Sequence, residues 1–195
     1  PRSTPAVTLF PYTTLFRSIS QDASLGVGQA TFATGTELET AAGVTLANQV
    51  QLSGNTTLHS LTNNSTLNGV ISGSGSLTKD GTGTVAFNGV NTYSGGLNVN
   101  AGKVIVINNA SLGVGQAVFQ IGTELETASS LTIANDLKLD GSTMLHSLTN
   151  NSTLDGKITG SGGFVKDGSG SLTLNGVNTY RGETTIKEGK VVVTN

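Results

Sequence analysis

Residues 23–108 recur as residues 110–195 without one insertion or deletion. At this offset of 87, 53 of the 86 positions are identical. LHSLTNNSTL stands verbatim at 58–67 and 145–154, ASLGVGQA at 23–30 and 110–117, and NGVNTY at 88–93 and 175–180. A gapless duplication of this length puts each residue into the same kind of environment twice. A stack of like units, each resting on the one before, meets that condition.

The differences between the copies show which side of each strand is buried. QVQLS at 49–53 becomes DLKLD at 136–140. Val50 and Leu52 remain apolar as Leu137 and Leu139, while Gln49, Gln51 and Ser53 become Asp136, Lys138 and Asp140. Charge enters only at alternate positions, as expected for a strand with one face in water. TVAF at 84–87 becomes SLTL, and Val70 becomes Lys157 while Ile71 is kept as Ile158. Strand-like runs at 44–46, 50–52, 85–87, 97–99 and 104–106 alternate with turn signals at 53–55, 73–75, 80–81, 88–89 and 101–102. No helical period is evident; ETAAGVTLANQ has helix formers, but Gly43, Val44 and Thr45 interrupt it.

Short strands and Gly/Asn turns also suit sandwiches and barrels, but the long gapless period favours a solenoid. The expectation is an all-β, parallel β-helix. Each 87-residue unit would make four coils of about 22 residues, eight coils in all. Successive coils would lie ~4.8 Å apart, with Asn and Thr bonding along the stack.

Composition bounds the function. The net charge of −2 gives no reason to expect nucleic acid or an anionic membrane as partner. There is no Cys, so thiolate metal sites are excluded, and two His alone do not make a zinc site. The chain does not begin with Met and shows neither signal peptide nor an apolar run near 18 residues, so it is read as a fragment; the missing signal does not argue against secretion. Residues 1–18, PRSTPAVTLFPYTTLFRS, hold all three Pro and resemble translated adapter read-through. They are set apart from the repeat region, 19–195.

Residues 73–106, GSGSLTKDGTGTVAFNGVNTYSGGLNVNAGKVIV, resemble the autotransporter-associated β-strand repeat. The resemblance rests on Gly73, Gly75, Leu77, Lys79, Gly81, Gly83, Gly89, Asn91, Thr92, Tyr93, Gly95, Gly96, Val99, Gly102 and Val106. The second copy matches over 160–193 and departs at Phe164 and Glu183. The resemblance implies a right-handed parallel β-helix in the passenger of a Gram-negative autotransporter. It would lie at the cell surface or outside the cell, exported through an outer-membrane β-barrel translocator and facing a surface ligand or a component of a host or neighbouring cell.

The residues that could carry chemistry are read as structural. Glu37 and Glu39, repeated as Glu124 and Glu126, share a strand face as acid/base or cation-binding pairs would, but suit a solvated edge better. His59 and His146 would point outward, too far apart to share a metal. Asp80-Gly81 and Asp167-Gly168 are turns without the calcium-binding nonapeptide pattern. Tyr93 and Tyr180 could stack on sugars, but are expected at corners with the hydroxyl bonded to backbone. The copy-specific charges Asp136, Lys138, Asp140, Lys157, Arg181, Glu183, Lys187 and Glu188 are spread out and mixed in sign. No catalytic, cofactor-binding or metal-ligating set is therefore expected. A structural passenger segment, as stalk and export aid with a possible adhesive surface, is preferred over a polysaccharide-binding or -cleaving β-helix. It is also preferred over an ice-binding protein, which would need a regular Thr column on every coil.

Overall fold

Three strands and three corners make one turn of the chain, and every strand pairing in the computed structural model is parallel. The structure describes residues 7–9, 17–19, 25–60, 64–128, 130–146 and 151–195, and contains no helix among them. The strands stack into three faces. The first begins with Val7–Leu9, Ala30–Phe32, Val50–Leu52 and Ile71–Gly73 and resumes with Thr132–Ile133, Ser152–Leu154, Ser171–Leu174 and Lys190–Val193. The second runs from Arg17–Ile19 through Thr36–Thr40, Thr56–His59, Leu77–Asp80, Leu97–Val99, Ala117–Phe119 and Leu137–Leu139 to Ile158–Thr159. The third runs from Thr45–Leu46 through Ser65–Leu67, Thr84–Phe87, Lys103–Val106, Glu124–Thr127, Thr143–His146 and Phe164–Asp167 to Thr184–Ile186. The result is a β-solenoid of about eight turns.

On the second face Thr36 pairs with Thr56, Thr56 with Leu77, Leu77 with Leu97, and Leu97 with Ala117. Four turns thus take 81 residues, and each takes 20 or 21. This corrects the expected 22-residue coil. The 87-residue unit is not four turns but four and one-third, and its last six residues carry the chain to the next face. Ala30–Phe32 lies on the first face, while its counterpart Ala117–Phe119 lies on the second. Positions 87 apart keep the same inward or outward direction, yet the second copy is rotated one face relative to the first.

Alternation governs burial. Val50 and Leu52 are buried between exposed Gln49, Gln51 and Ser53, and Leu137 and Leu139 are buried between Asp136, Lys138 and Asp140. Val70 is 37% exposed and its neighbour Ile71 1%. The interior is one continuous core of Leu, Val, Ile and Phe supplied by all three faces, including Phe32, Leu58, Val85, Phe87, Phe119, Leu139 and Phe164. Each layer of inward side chains covers the layer before it, so the apolar gain accrues turn by turn.

Corners are pinned by amides. Asn48 Nδ2 donates to the carbonyls of Gly26 and Gly28 in the preceding turn, at 3.1 and 2.6 Å. Its counterpart Asn135 does the same to Gly113 and Gly115. Asn88 Nδ2 donates to Asn68 Oδ1 at 2.7 Å, and Asn108 Nδ2 to the carbonyl of Asn88 at 2.8 Å. These are the ladders that the Asn-rich turns lead one to expect.

The verbatim string LHSLTNNSTL is a strand end, a corner and a strand start. In the first copy it crosses from the second face to the third, and in the second copy from the third face to the first. Residues 61–63 and 147–150 lie outside the described residues. Of the segment 1–18, Val7–Leu9 pairs with Ala30–Phe32, and Arg17–Ile19 pairs with Leu38–Thr40. These two stretches continue the stack; the rest of that segment is outside the described residues.

Candidate functional site

Outward positions of three successive strands line up Glu39, His59 and Asp80 on the second face, and Glu126, His146 and Asp167 on the third. The imidazoles lie between carboxylates of neighbouring turns. His59 Nε2 is 3.6 Å from Glu37 Oε2, and its Nδ1 is 3.7 Å from Asp80 Oδ2. His146 repeats this with Glu124 at 3.2 Å and Asp167 at 3.7 Å. Both rings are largely covered. They do line the outer surface, as expected, but as the middle rung of a carboxylate–imidazole–carboxylate ladder. The second ladder has an additional member. Lys103, one turn earlier, places Nζ 3.1 Å from both Glu124 Oε2 and Glu126 Oε2. Burial opposes its charge, but the bonds to the two carboxylates outweigh it and raise the Lys103 pKa.

Lys79 and Lys166 escaped the sequence analysis except as letters of a pattern. Both are fully buried, at inward positions. Lys79 Nζ donates to the carbonyls of Asp80, Gly81 and Ala101, at 3.2, 2.6 and 2.9 Å. Lys166 Nζ donates to those of Asp167, Gly168 and Glu188. Each ammonium thus uses its three protons to tie a corner to the corner of the next turn. Burial lowers the Lys79 pKa to about 8 and that of Lys166 in the same direction, against the pull of the adjacent aspartate. The signal available beforehand was a Lys at the inward phase of LTKD and FVKD. The carboxylates beside these lysines have separate work: Asp80 Oδ1 and Asp167 Oδ1 accept from the following glycine N–H.

Asn91 bridges three turns. Its Oδ1 accepts from the Ile71 N–H at 2.8 Å, and its Nδ2 donates to the Ser111 carbonyl at 2.7 Å. Through it and the Thr92 N–H to Ile71 carbonyl bond, the irregular stretch after Phe87 carries the first face onward. Tyr93 is fully buried at this corner. The expected bond from its hydroxyl to backbone is not made; among the described residues the hydroxyl has no partner. Tyr180 is partly exposed, its ring against Phe164 at 5.6 Å and its hydroxyl 2.6 Å from Thr184 Oγ1. Sugar stacking would need an open ring face, which Tyr93 lacks.

Four of the eight copy-specific charges pair with one another. Lys138 meets Asp140 at 2.8 Å, and Lys157 meets Asp136 at 3.4 Å. Among the described residues no group of three or more His, Asp or Glu is disposed to hold a metal ion. A shallow groove of about 470 Å³ follows the corner at Gly26, Val27, Gly28, Gln29, Ala47, Asn48 and Gln49, with no charged side chain in its lining.

Two stretches match the family model of the passenger-associated-transport-repeat, residues 77–106 and 164–193. Each stretch spans five consecutive sides of the solenoid, one and two-thirds turns, and holds one buried Lys and one NTY corner. A 128-residue region, 64% of the chain, is 34% identical to the adhesin BmaC autotransporter of Brucella suis biovar 1 (strain 1330). The matched region is 4% of that relative's length. No solved structure matches the chain.

Proposed function

We propose that the chain is a structural segment of an autotransporter passenger, displayed at the bacterial surface or released from it, because residues 77–106 and 164–193 match the passenger-associated-transport-repeat. In this reading it is a non-enzymatic spacer that assists its own export by folding outside the cell, in a longer protein that ends in an outer-membrane β-barrel. An adhesive surface is part of the proposal, on the strength of the relative's name.

One observation carries this reading: in each repeat, a buried Lys joins its own corner to the next turn. A chain leaving a pore cannot use distant contacts, because those residues have not yet emerged. A turn that locks onto its predecessor retains what it has gained, and folding on the far side then draws the chain outward. The test is to insert the chain between a signal peptide and an outer-membrane barrel, and to measure its accessibility to external protease. The wild-type segment should reach the surface, and Lys79→Met/Lys166→Met should lower the displayed fraction several-fold at equal expression. Equal display of the variant would overturn the export role.

A further inference from the structure

Asparagine followed by glycine occurs three times in the chain, at Asn68-Gly69, Asn88-Gly89 and Asn175-Gly176. Glycine has no side chain to hinder its backbone nitrogen from attacking the amide carbon of the residue before it. Such attack forms a cyclic imide and expels ammonia, and water then opens the ring to a carboxylate. The fold treats the three sites differently.

Asn68 and Asn88 lie one turn apart at the corner that leads into the first face. Asn88 Nδ2 donates to Asn68 Oδ1 at 2.7 Å. In the second copy Asn175 Nδ2 donates to Asp155 Oδ1, also at 2.7 Å. A carboxylate has no proton to give, so the second copy fixes the direction of this bond, and the first copy follows it. Asn88 is itself held in place. Its N–H donates to the Leu67 carbonyl at 2.9 Å, and its own carbonyl accepts from Asn108 Nδ2 at 2.8 Å. A fixed donor on Oδ1 polarises the Asn68 amide and stabilises the oxyanion that attack creates there. Asn68 is exposed, and its Nδ2 has no partner among the described residues, so ammonia can leave into solvent. The Gly69 N–H is only weakly engaged: it lies 3.4 Å from the Leu46 carbonyl, which already accepts from the Asn68 N–H at 2.8 Å.

Neither other site combines these features. Asn88 and Asn175 each commit the nitrogen that would leave to a bond at 2.7 Å. Conversion of Asn175 would also set two carboxylates against each other across that bond. Conversion of Asn68 creates instead the carboxylate–amide rung that Asp155 and Asn175 already form.

We propose that Asn68 is a self-modification site, at which the Gly69 nitrogen displaces the side-chain amine and the Asn88 amide assists. The Gly69 nitrogen bonds to Cγ, the bond from Cγ to Nδ2 breaks, and the proton from Gly69 departs with Nδ2 as ammonia. Solvent water then adds to Cγ and the bond from Cγ to the Gly69 nitrogen breaks. The nitrogen regains a proton, and a carboxylate remains on an unchanged backbone. The rod gains one surface negative charge and keeps the bond at its corner.

The test is peptide mapping by mass spectrometry of the full chain, held folded in mildly alkaline buffer and sampled over time. Asn68 should convert at least about tenfold faster than Asn88 or Asn175, while in denaturant the three should convert at similar rates. Asn88→Ala should slow conversion at Asn68 several-fold. Asn68→Asp should keep the denaturation midpoint of the parent chain, and Asn175→Asp should lower it. Equal rates at the three sites of the folded chain would overturn the proposal. So would faster conversion of Asn68 in Asn88→Ala, which marks mere loosening of the corner, or a lowered midpoint in Asn68→Asp.

Discussion

Leu77 and Phe164 hold the same position in the two copies, and a cavity of about 20 Å³ borders the leucine. Its other walls are Phe32, Leu38, Val50, Leu52, Thr56, Leu58, Leu67 and Ile71. In the second copy the larger ring at this place is fully buried and packs on Tyr180. Leu77→Phe should therefore be accepted, raising stability by up to about 1 kcal/mol, while Phe164→Leu should cost about 1 kcal/mol. Guanidinium midpoints of the two variants would check this; a loss beyond about 2 kcal/mol in Leu77→Phe would show the first copy too tight for the ring.

Val70 and Ile71 differ by one position and face opposite ways. Lys157 already occupies the counterpart of Val70, so Val70→Lys should change stability by no more than about 0.5 kcal/mol. Ile71→Lys removes a buried side chain that contributes about 2–3 kcal/mol and buries an ammonium without a partner, for a loss of several kcal/mol. Lys157→Ile should be tolerated and Ile158→Lys should not. Urea titrations of the four variants would decide; equal losses at neighbouring positions would mean that the faces are wrongly assigned.

Removing the buried amine should leave three carbonyls unsatisfied. Lys79→Met is expected to cost about 3 kcal/mol at neutral pH. The amine also sets a pH dependence. Its pKa is about 8 in the folded protein against an ordinary lysine value of 10.5 in the unfolded chain. The unfolded chain therefore binds more protons between these values, and stability rises with pH there. Lys166 acts in the same sense. Tyr93, whose pKa burial raises, favours the folded state only while neutral and so works against stability above about pH 10. The denaturation midpoint should climb from pH 8 to 10, and the climb should shrink in Lys79→Met. A flat profile in the parent chain would contradict the burial of a charged amine.

Gly26 and Gly113 are counterparts with nearly the same positive φ, 73° and 74°. A methyl group on Gly26 meets nothing within 4 Å, whereas on Gly113 it falls 2.8 Å from the Tyr93 ring and 2.7 Å from its carbonyl oxygen. Gly26→Ala should cost about 1 kcal/mol for the backbone alone. Gly113→Ala should cost at least about 2 kcal/mol, because the ring is fixed in the core. Thermal unfolding of the pair isolates the clash from the backbone strain; equal shifts would remove Tyr93 from the account.

Inward and outward positions were legible in the sequence because substitution between copies obeys burial: the Gln51/Lys138 and Val70/Lys157 exchanges marked the wet faces. The turn length was not. A repeat fixes the period of the sequence, and 87 divides by four nearly as well as by four and one-third. Only the register of Leu77 on Thr56 and Leu97 tells them apart. The buried lysines were hidden for a different reason: carbonyls that accept from them belong to every residue, so no partner side chain announces the site. The histidine ladders were hidden because their carboxylates come from other turns, 21 and 22 residues away in the case of His59.

The one-third turn that each unit adds is tested most directly by a cross-link at the second face. Asn98 pairs with Val118, and adjacent strands at ~4.8 Å bring such Cα atoms within disulfide range. Asn98→Cys/Val118→Cys should close an intramolecular disulfide rapidly in dilute solution. Asn98→Cys/Gln120→Cys, the pair that a 22-residue turn would align, should close many-fold more slowly. Faster closure of the 98–120 pair would restore four turns per unit and remove the rotation between the copies.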